Sequence, residues 1–413
     1  MTPTRTAPPS SVLRVRDRWF APRHRSGTTE LAPARLLHLT RMPPSPSGVA
    51  AYAAVFRDAL EELGPTVTVE LPPDPAASQS FPLAVRLIRR LRGPLAAPGT
   101  VLVVEQAGRG LAEFWAAWWL TRRGARVWLM VHDVPALSGG AFFSRLLDRR
   151  GGRRIAALLS DTLGRRAERG LLSRAERVFC LSPAGAEALA AAHHLDREVE
   201  PIPHVARPVE VDPDSSRHAE PDPSVAATAE QDPALRRAIL VPGYIAAAED
   251  VLPLLPALAD LPDDWRLLVG ACPAAAEERI AREAEALGLS DRVDLLGFTD
   301  EPGVRAAFAR AAVVVRWRDG GWSGGAGRYA VSGPLIASFA HGCAVVTNDD
   351  RGAAHLLDRA GAVAVRDADS LVTAVTALVR NDADRLRRAT AGRALVESEH
   401  TPVAVAALLR GGV

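Results

Sequence analysis

Short apolar runs, each followed by a helix-like stretch, constrain this chain more than any other feature. They lie at 35–40, 67–71, 100–105, 126–131 and 177–182, and again at 238–242, 267–270, 293–296, 313–317, 343–347 and 362–365. Each is too short for a core helix and too continuously apolar for a half-solvated strand, which is the pattern of a strand buried on both faces. Strands alternating with helices imply parallel sheets joined by right-handed crossovers. The two series are separated by 211–232, which is rich in Pro, Asp, Ala and Ser and has no apolar period, so it reads as a linker or inserted loop. The predicted fold class is therefore α/β, with two Rossmann-like domains at 34–210 and 237–396 and a linker at 211–236. A total of 413 residues, 48% of them hydrophobic, suits two such cores.

Composition excludes several functions. All 50 basic residues are arginine, so chemistry that needs a lysine, such as a Schiff base or a P-loop, is ruled out. Together with abundant Ala, Pro and Gly, this suggests a GC-rich bacterial source. A net charge of +2 argues against a nucleic-acid binder. Cys180, Cys272 and Cys343 lie far apart in or beside strand-like runs and read as small buried hydrophobes rather than a metal or disulfide framework. Residues 1–33 are polar and rich in Pro and Arg, the composition of a disordered tail rather than a leader peptide. No run is apolar enough to span a bilayer. The expected location is cytoplasmic.

The stretch with most chemistry follows the run at 313–317. A Gly-rich loop carries Arg318, Asp319 and Arg328, with Arg316 at the strand end, and Ser332-Gly333 opens the next helix. A helix start after a Gly-rich loop can hold an anion with backbone N–H groups. Guanidinium forks match phosphate oxygens. Residue types alone fit equally an ordinary turn with solvated arginines. Asp349-Asp350 and Asp212-x-Asp214 read as turn and linker carboxylates, with no His or Cys beside them to complete a metal site. Gly108-Arg109-Gly110 imitates a dinucleotide fingerprint, but Glu113 replaces the third glycine and the loop does not follow the first strand.

The segment SGPLIASFAHGCAVVTN resembles the donor-site helix and strand of family-4-type glycosyltransferases with the GT-B fold. Three further segments carry the likeness. The first strand leads into a Ser47-Gly48 loop and a helix with Tyr52. The run at 126–131 ends in His132-Asp133. The motif PIPHVARP, containing His204, leads to the linker. The resemblance implies two Rossmann-like domains facing across a cleft, an acceptor domain followed by a donor domain, and a final helix within 397–413 that crosses back to the first. It implies transfer of a sugar from a nucleotide-diphosphate sugar, with retention at the anomeric carbon, to a small molecule, glycan or lipid-linked glycan. The donor is a substrate, and no other cofactor or metal is expected. His132 and Asp133 take the catalytic positions, while Gly48, Gly243, Arg316, Arg328, Tyr329, Ser332 and Gly333 take the donor-binding ones.

This chain departs from the family in specific places. The paired glutamates that usually hold donor sugar and ribose fall at Tyr329 and Ala337, and Ala330 stands at a further Glu position. The Arg and Lys that clamp the diphosphate after Gly243 fall at Tyr244 and Glu249. The alternative implied is a non-catalytic GT-B subunit or binding module. The run 142–177 holds ten arginines against four acids. It reads either as a solvated helix face or as a basic patch for the inner membrane face.

Overall fold

The computed structural model describes residues 33–45, 47–106, 108–137, 152–209, 235–319, 329, 331–349 and 351–411. Its first half runs β1 (Arg35–Thr40), α1 (Gly48–Leu63), β2 (Thr66–Glu70), α2 (Phe81–Arg92), β3 (Thr100–Gln106), α3 (Ala112–Arg122), β4 (Val127–Val131), α4 (Gly152–Arg174), β5 (Arg177–Cys180), α5 (Pro183–His193) and β6 (Glu200–Pro201). The second runs β7 (Ala238–Val241), α6 (Leu254–Ala259), β8 (Arg266–Val269), α7 (Ala274–Ala286), β9 (Val293–Leu295), α8 (Glu301–Arg310), β10 (Ala311–Arg316), α9 (Gly333–Ala340), β11 (Ala344–Asn348), α10 (Ala354–Leu357), β12 (Val363–Val365), α11 (Ala368–Arg380), α12 (Asp382–Leu395) and α13 (Pro402–Leu409). A single π turn, Val396–His400, joins the last two helices.

The described strands form two six-stranded sheets, ordered β2-β1-β3-β4-β5-β6 and β12-β11-β10-β7-β8-β9. Every pairing is parallel. The apolar runs end up covered on both faces. Beneath one face of the first sheet, Leu36, Val103, Met130 and Phe179 pack with Tyr52, Phe56 and Leu60 of α1. Against the other, Leu37, Leu102, Leu129 and Val178 meet α2, α3, α4 and α5.

The terminal helix belongs to the first core. Val405, Ala406 and Leu409 of α13 are buried in the same cluster as α1. Burying a Val or Leu side chain stabilises by about 1.5–3 kcal/mol, so these contacts hold the helix firmly. The Arg410 guanidinium also donates to the Glu62 carbonyl of α1, and Arg177 donates to the Leu409 carbonyl. One linker residue moves in the assignment. Arg236 is buried and donates to the His341 carbonyl at 2.8 Å, so it is part of the second unit. The tail at 1–32 and most of the linker, 210–234, lie outside the described residues.

Two glycines bring the loops after β7 and β8 together. Gly243 has φ of +84°, a left-handed conformation costly for any residue with a side chain. A Cβ on Gly270 would sit 2.5 Å from the Gly243 carbonyl oxygen, closer than backbone can tolerate. Gly270→Ala is therefore expected to destabilise the protein by about 2–3 kcal/mol, the cost of forcing bulk into a filled space. Urea denaturation measures this, and an unchanged midpoint would contradict the close approach.

Candidate functional site

The carboxyl ends of both sheets' strands bound one cleft, where ligands bind in open α/β sheets. On the first-domain side, register brings three titratable side chains into one row. His38 of β1 is aligned with Val103 of β3, and Glu105 lies two residues further on, on the same face. Glu105 is aligned with Met130 of β4, and His132 lies two residues beyond that. Diagonal neighbours of this kind are within reach of long side chains. His38 Nε2 stands 2.9 Å from Glu105 Oε1, and His132 Nε2 stands 2.5 Å from Glu105 Oε2.

The row fixes its own protonation. Burial pushes the Glu105 carboxyl up, but the hydrogen bonds and charges of His132 and His38 outweigh it, so the group sits below the usual carboxylate range. An ionised carboxylate accepts from both rings, so each histidine presents an Nε2–H to it. His132 is covered down to 11% exposure of its side chain.

An aromatic chain continues from here to the second domain. Tyr52 lies edge-on to His132, with ring centroids 5.0 Å apart, and edge-on to His204 at 4.9 Å. The Tyr52 hydroxyl is buried without a hydrogen-bond partner, and burial, then the Glu105 charge, raises its pKa well above the ordinary value. His204 Nδ1 donates to the Val205 carbonyl at 3.0 Å. Its Nε2 lies 3.5 Å from where a Cβ on Gly333 would be. Burial, then the neighbouring His400, lowers the His204 pKa to about 4, so this ring is neutral.

Across the cleft stand Gly243, Arg316, Ser332 and Gly333. Gly333 begins α9, and a Cβ on Gly243 would lie 3.4 Å from Pro334 of the same helix start. Pro334 has no N–H, so Gly333 supplies the leading amide. Arg316 Nε donates to Ser332 Oγ at 3.0 Å, which leaves Ser332 with no capping bond to its own helix. The chain leaving β10 is pinned twice. Asn348 exchanges two hydrogen bonds with the Arg318 backbone, at 2.8 and 3.2 Å. Asp250 accepts the Asp319 N–H at 3.0 Å. Burial raises the Asp250 pKa; the Asp319 bond and the Arg318 charge offset only part of that.

The candidate residues divide accordingly. His132 joins the Glu105 row, with Asp133 next to it at the half-buried strand end. Gly48 opens α1 behind the N-cap Ser47, and a Cβ there would meet open space. Gly243, Arg316, Ser332 and Gly333 come together. Tyr329 does not join them through its ring, which packs on the first-domain core; its carbonyl accepts from Ser182 Oγ at 2.7 Å across the domains. Arg328 lies outside the described residues. Glu249 pairs with Arg279 of α7. Among the described residues, no group of His, Cys, Asp and Glu could hold a metal ion.

Sequence reading passed over Glu105, His38 and Asp250. Glu105 was a polar residue ending a buried strand, which is the one available signal. His204, in the motif that leads to the linker, also reaches the cleft.

Residues 254–411 match the protein family described as glycosyl transferase-like. The paired parallel sheets are those of the GT-B fold, which the following solved structures share. A sucrose-phosphate synthase from Thermosynechococcus elongatus superposes with TM-score 0.61 at 16% identity, over 91% of this chain and 97% of that one. HepE of Anabaena in complex with UDP gives 0.60 at 13%, over 91% and 98%. An E. coli structure described as trehalose-6-phosphate bound with UDP-2-fluoro glucose gives 0.60 at 13%, over 92% and 99%. A search of curated proteins found no match.

Proposed function

We propose that this protein transfers a sugar, with retention, from a UDP-sugar to an acceptor held by the first domain. The observation that carries the reading is the continuous line from Glu105 and His132 through Tyr52 and His204 to Gly333, beside Ser332 and Arg316 on the second domain. The solved structures of the same fold that contain UDP or a UDP-sugar support the choice of nucleotide.

In this reading the diphosphate rests at the start of α9. The Gly333 N–H and the helix dipole meet its negative charge, and Arg316 takes the place of the missing clamp cations. Leaving-group departure builds charge on the diphosphate, and groups fixed in advance stabilise that charge best. Ser332 holds the Arg316 guanidinium in position at no further ordering cost. His132, with its proton fixed on Nε2, offers Nδ1 to a sugar or acceptor hydroxyl. Asp133 lies beside it at the strand end, and the Tyr52 hydroxyl is available for one more bond.

Arg316→Ala is expected to weaken UDP binding about tenfold or more, since a charge-assisted hydrogen bond is worth about 1.5–3 kcal/mol. Calorimetry of wild type and variant against UDP measures this. Incubation with a panel of UDP-sugars should show slow donor hydrolysis without acceptor. The absence of a carboxylate at Tyr329 and Ala337 favours the second reading, a donor-binding module without turnover. UDP binding with no hydrolysis or transfer across the panel would establish that reading instead.

A further inference from the structure

The face of the first sheet opposite the histidine row has a different character. Helices α2, α3 and α4 cover it side by side, each burying an apolar stripe in the same core. Their outer surfaces carry arginines: Arg86, Arg89, Arg90 and Arg92 on α2, Arg122 and Arg123 at the end of α3, and Arg165, Arg166, Arg169 and Arg174 on α4 are all exposed. Over Phe81–Arg92, Ala112–Arg122 and residues 162–174, the acids are Glu113 and Glu168, and both are fully buried. Glu113 pairs with Arg41, and Glu168 with Arg109. The negative charges over these residues are thus turned inward and paired.

The overall charge of +2 hides this asymmetry. In the second domain, by contrast, α7 mixes exposed Glu278, Glu283 and Glu285 with exposed Arg279 and Arg282. Among the described side chains of α2, α3 and α4, every exposed charge is cationic.

Aromatic rings lie between the arginines. Arg122 sits over the Trp118 ring at 5.1 Å and Arg123 over Trp119 at 4.9 Å. Trp115 packs edge-on to Trp118 at 5.8 Å. Phe81 at the start of α2 is 50% exposed, and Leu163 on α4 is 47% exposed. Arginine above tryptophan, with bulky apolar residues beside it, matches the boundary between phosphate headgroups and acyl chains. The rings settle at that depth, and the guanidinium groups reach outward to the phosphates.

We propose that the α2–α3–α4 face docks on an anionic lipid bilayer and holds the protein there as a peripheral membrane protein. A phosphate-rich surface complements this charge, and adsorption scales with the basic residues that meet it. No helix among the described residues is long and apolar enough to cross the bilayer, so the contact is superficial. The inference rests on the surface alone and holds whichever donor the cleft takes. It brings the protein to a lipid surface, with the histidine row on the other face of the sheet.

Co-sedimentation of the full chain with vesicles tests it. The protein should bind phosphatidylglycerol-rich vesicles, ignore pure phosphatidylcholine ones, and be released by high salt. Tryptophan emission should shift to the blue on binding. The variant Arg89→Glu/Arg90→Glu should bind anionic vesicles about tenfold more weakly or worse, with an unchanged thermal melt. These arginines lie outside the cleft, so UDP affinity should stay the same. Equal, weak binding to both vesicle types would overturn the proposal. So would a variant that binds like wild type, or binding to single-stranded RNA with none to vesicles.

Discussion

Glu105→Gln is expected to lower sugar transfer by about a hundredfold or more, with donor affinity little changed. The carboxylate accepts an N–H from His38 and another from His132. An amide of the same shape has one acceptor oxygen, and its nitrogen donates. One histidine must then rotate or move its proton to the other nitrogen. If His132 changes, the acceptor nitrogen no longer stands where a reacting hydroxyl needs it, and a positioned acid–base group is worth about 10²–10⁴ in rate. The substitution also costs about 1–3 kcal/mol for the mismatched buried bond. The measurement is therefore kcat and KM well below the melting temperature, with Tm recorded alongside. His132→Ala should reproduce the loss in kcat with a smaller change in Tm. A Glu105→Gln enzyme with normal kcat would remove Glu105 from any role in orienting His132.

Acidification should unfold the protein early. His204, His341 and His355 are each lowered to about 4, in every case by burial first and by a neighbouring basic side chain second: His400 beside His204, Arg236 beside His341, and His400 beside His355. His400 is lowered too, by burial. An unfolded histidine titrates near 6.5. Above that value both states are neutral, and the contribution to stability is complete. As pH falls from about 6.5 towards 4, the unfolded chain takes up protons that the folded chain refuses, and stability is lost. Each unit of separation is worth about 1.4 kcal/mol, so three such groups remove several kcal/mol by about pH 5. Tm should drop by about ten degrees or more between roughly pH 7 and pH 5. A flat profile over that window would show that these rings are not held neutral.

Much of this arrangement could be read before the structure. The strands were legible because a strand covered on both faces has no room for polar alternation, and it shows as an apolar run. The predicted bounds at 35–40 coincide with β1, and the others fall within a few residues. The α9 start was legible because Ser332-Gly333 sits between a Gly-rich loop and an apolar helix. The histidine row was not. His38, Glu105 and His132 come from three strands, and only lateral order and register align them; neither has a local signature. Asp250 lay hidden for a related reason. Its partner is a backbone N–H some distance along the chain, at Asp319, and any acid in a turn would look the same. Tyr329 stands where a donor-binding residue was expected, but its ring is taken by the neighbouring domain.

The chain passes between the domains twice, and the two passages are stitched together. Ala206 N–H donates to the His400 carbonyl at 2.8 Å, and His400 Nδ1 donates to the His204 carbonyl at 2.7 Å. Further along, Arg393 reaches the Val209 carbonyl at 3.0 Å. A single tether would let one lobe twist and tilt freely against the other. Two tethers bonded side by side behave as an axle, with rotation about their seam as the one soft movement. Any hinge rotation would then carry Ser332 along an arc set by that seam.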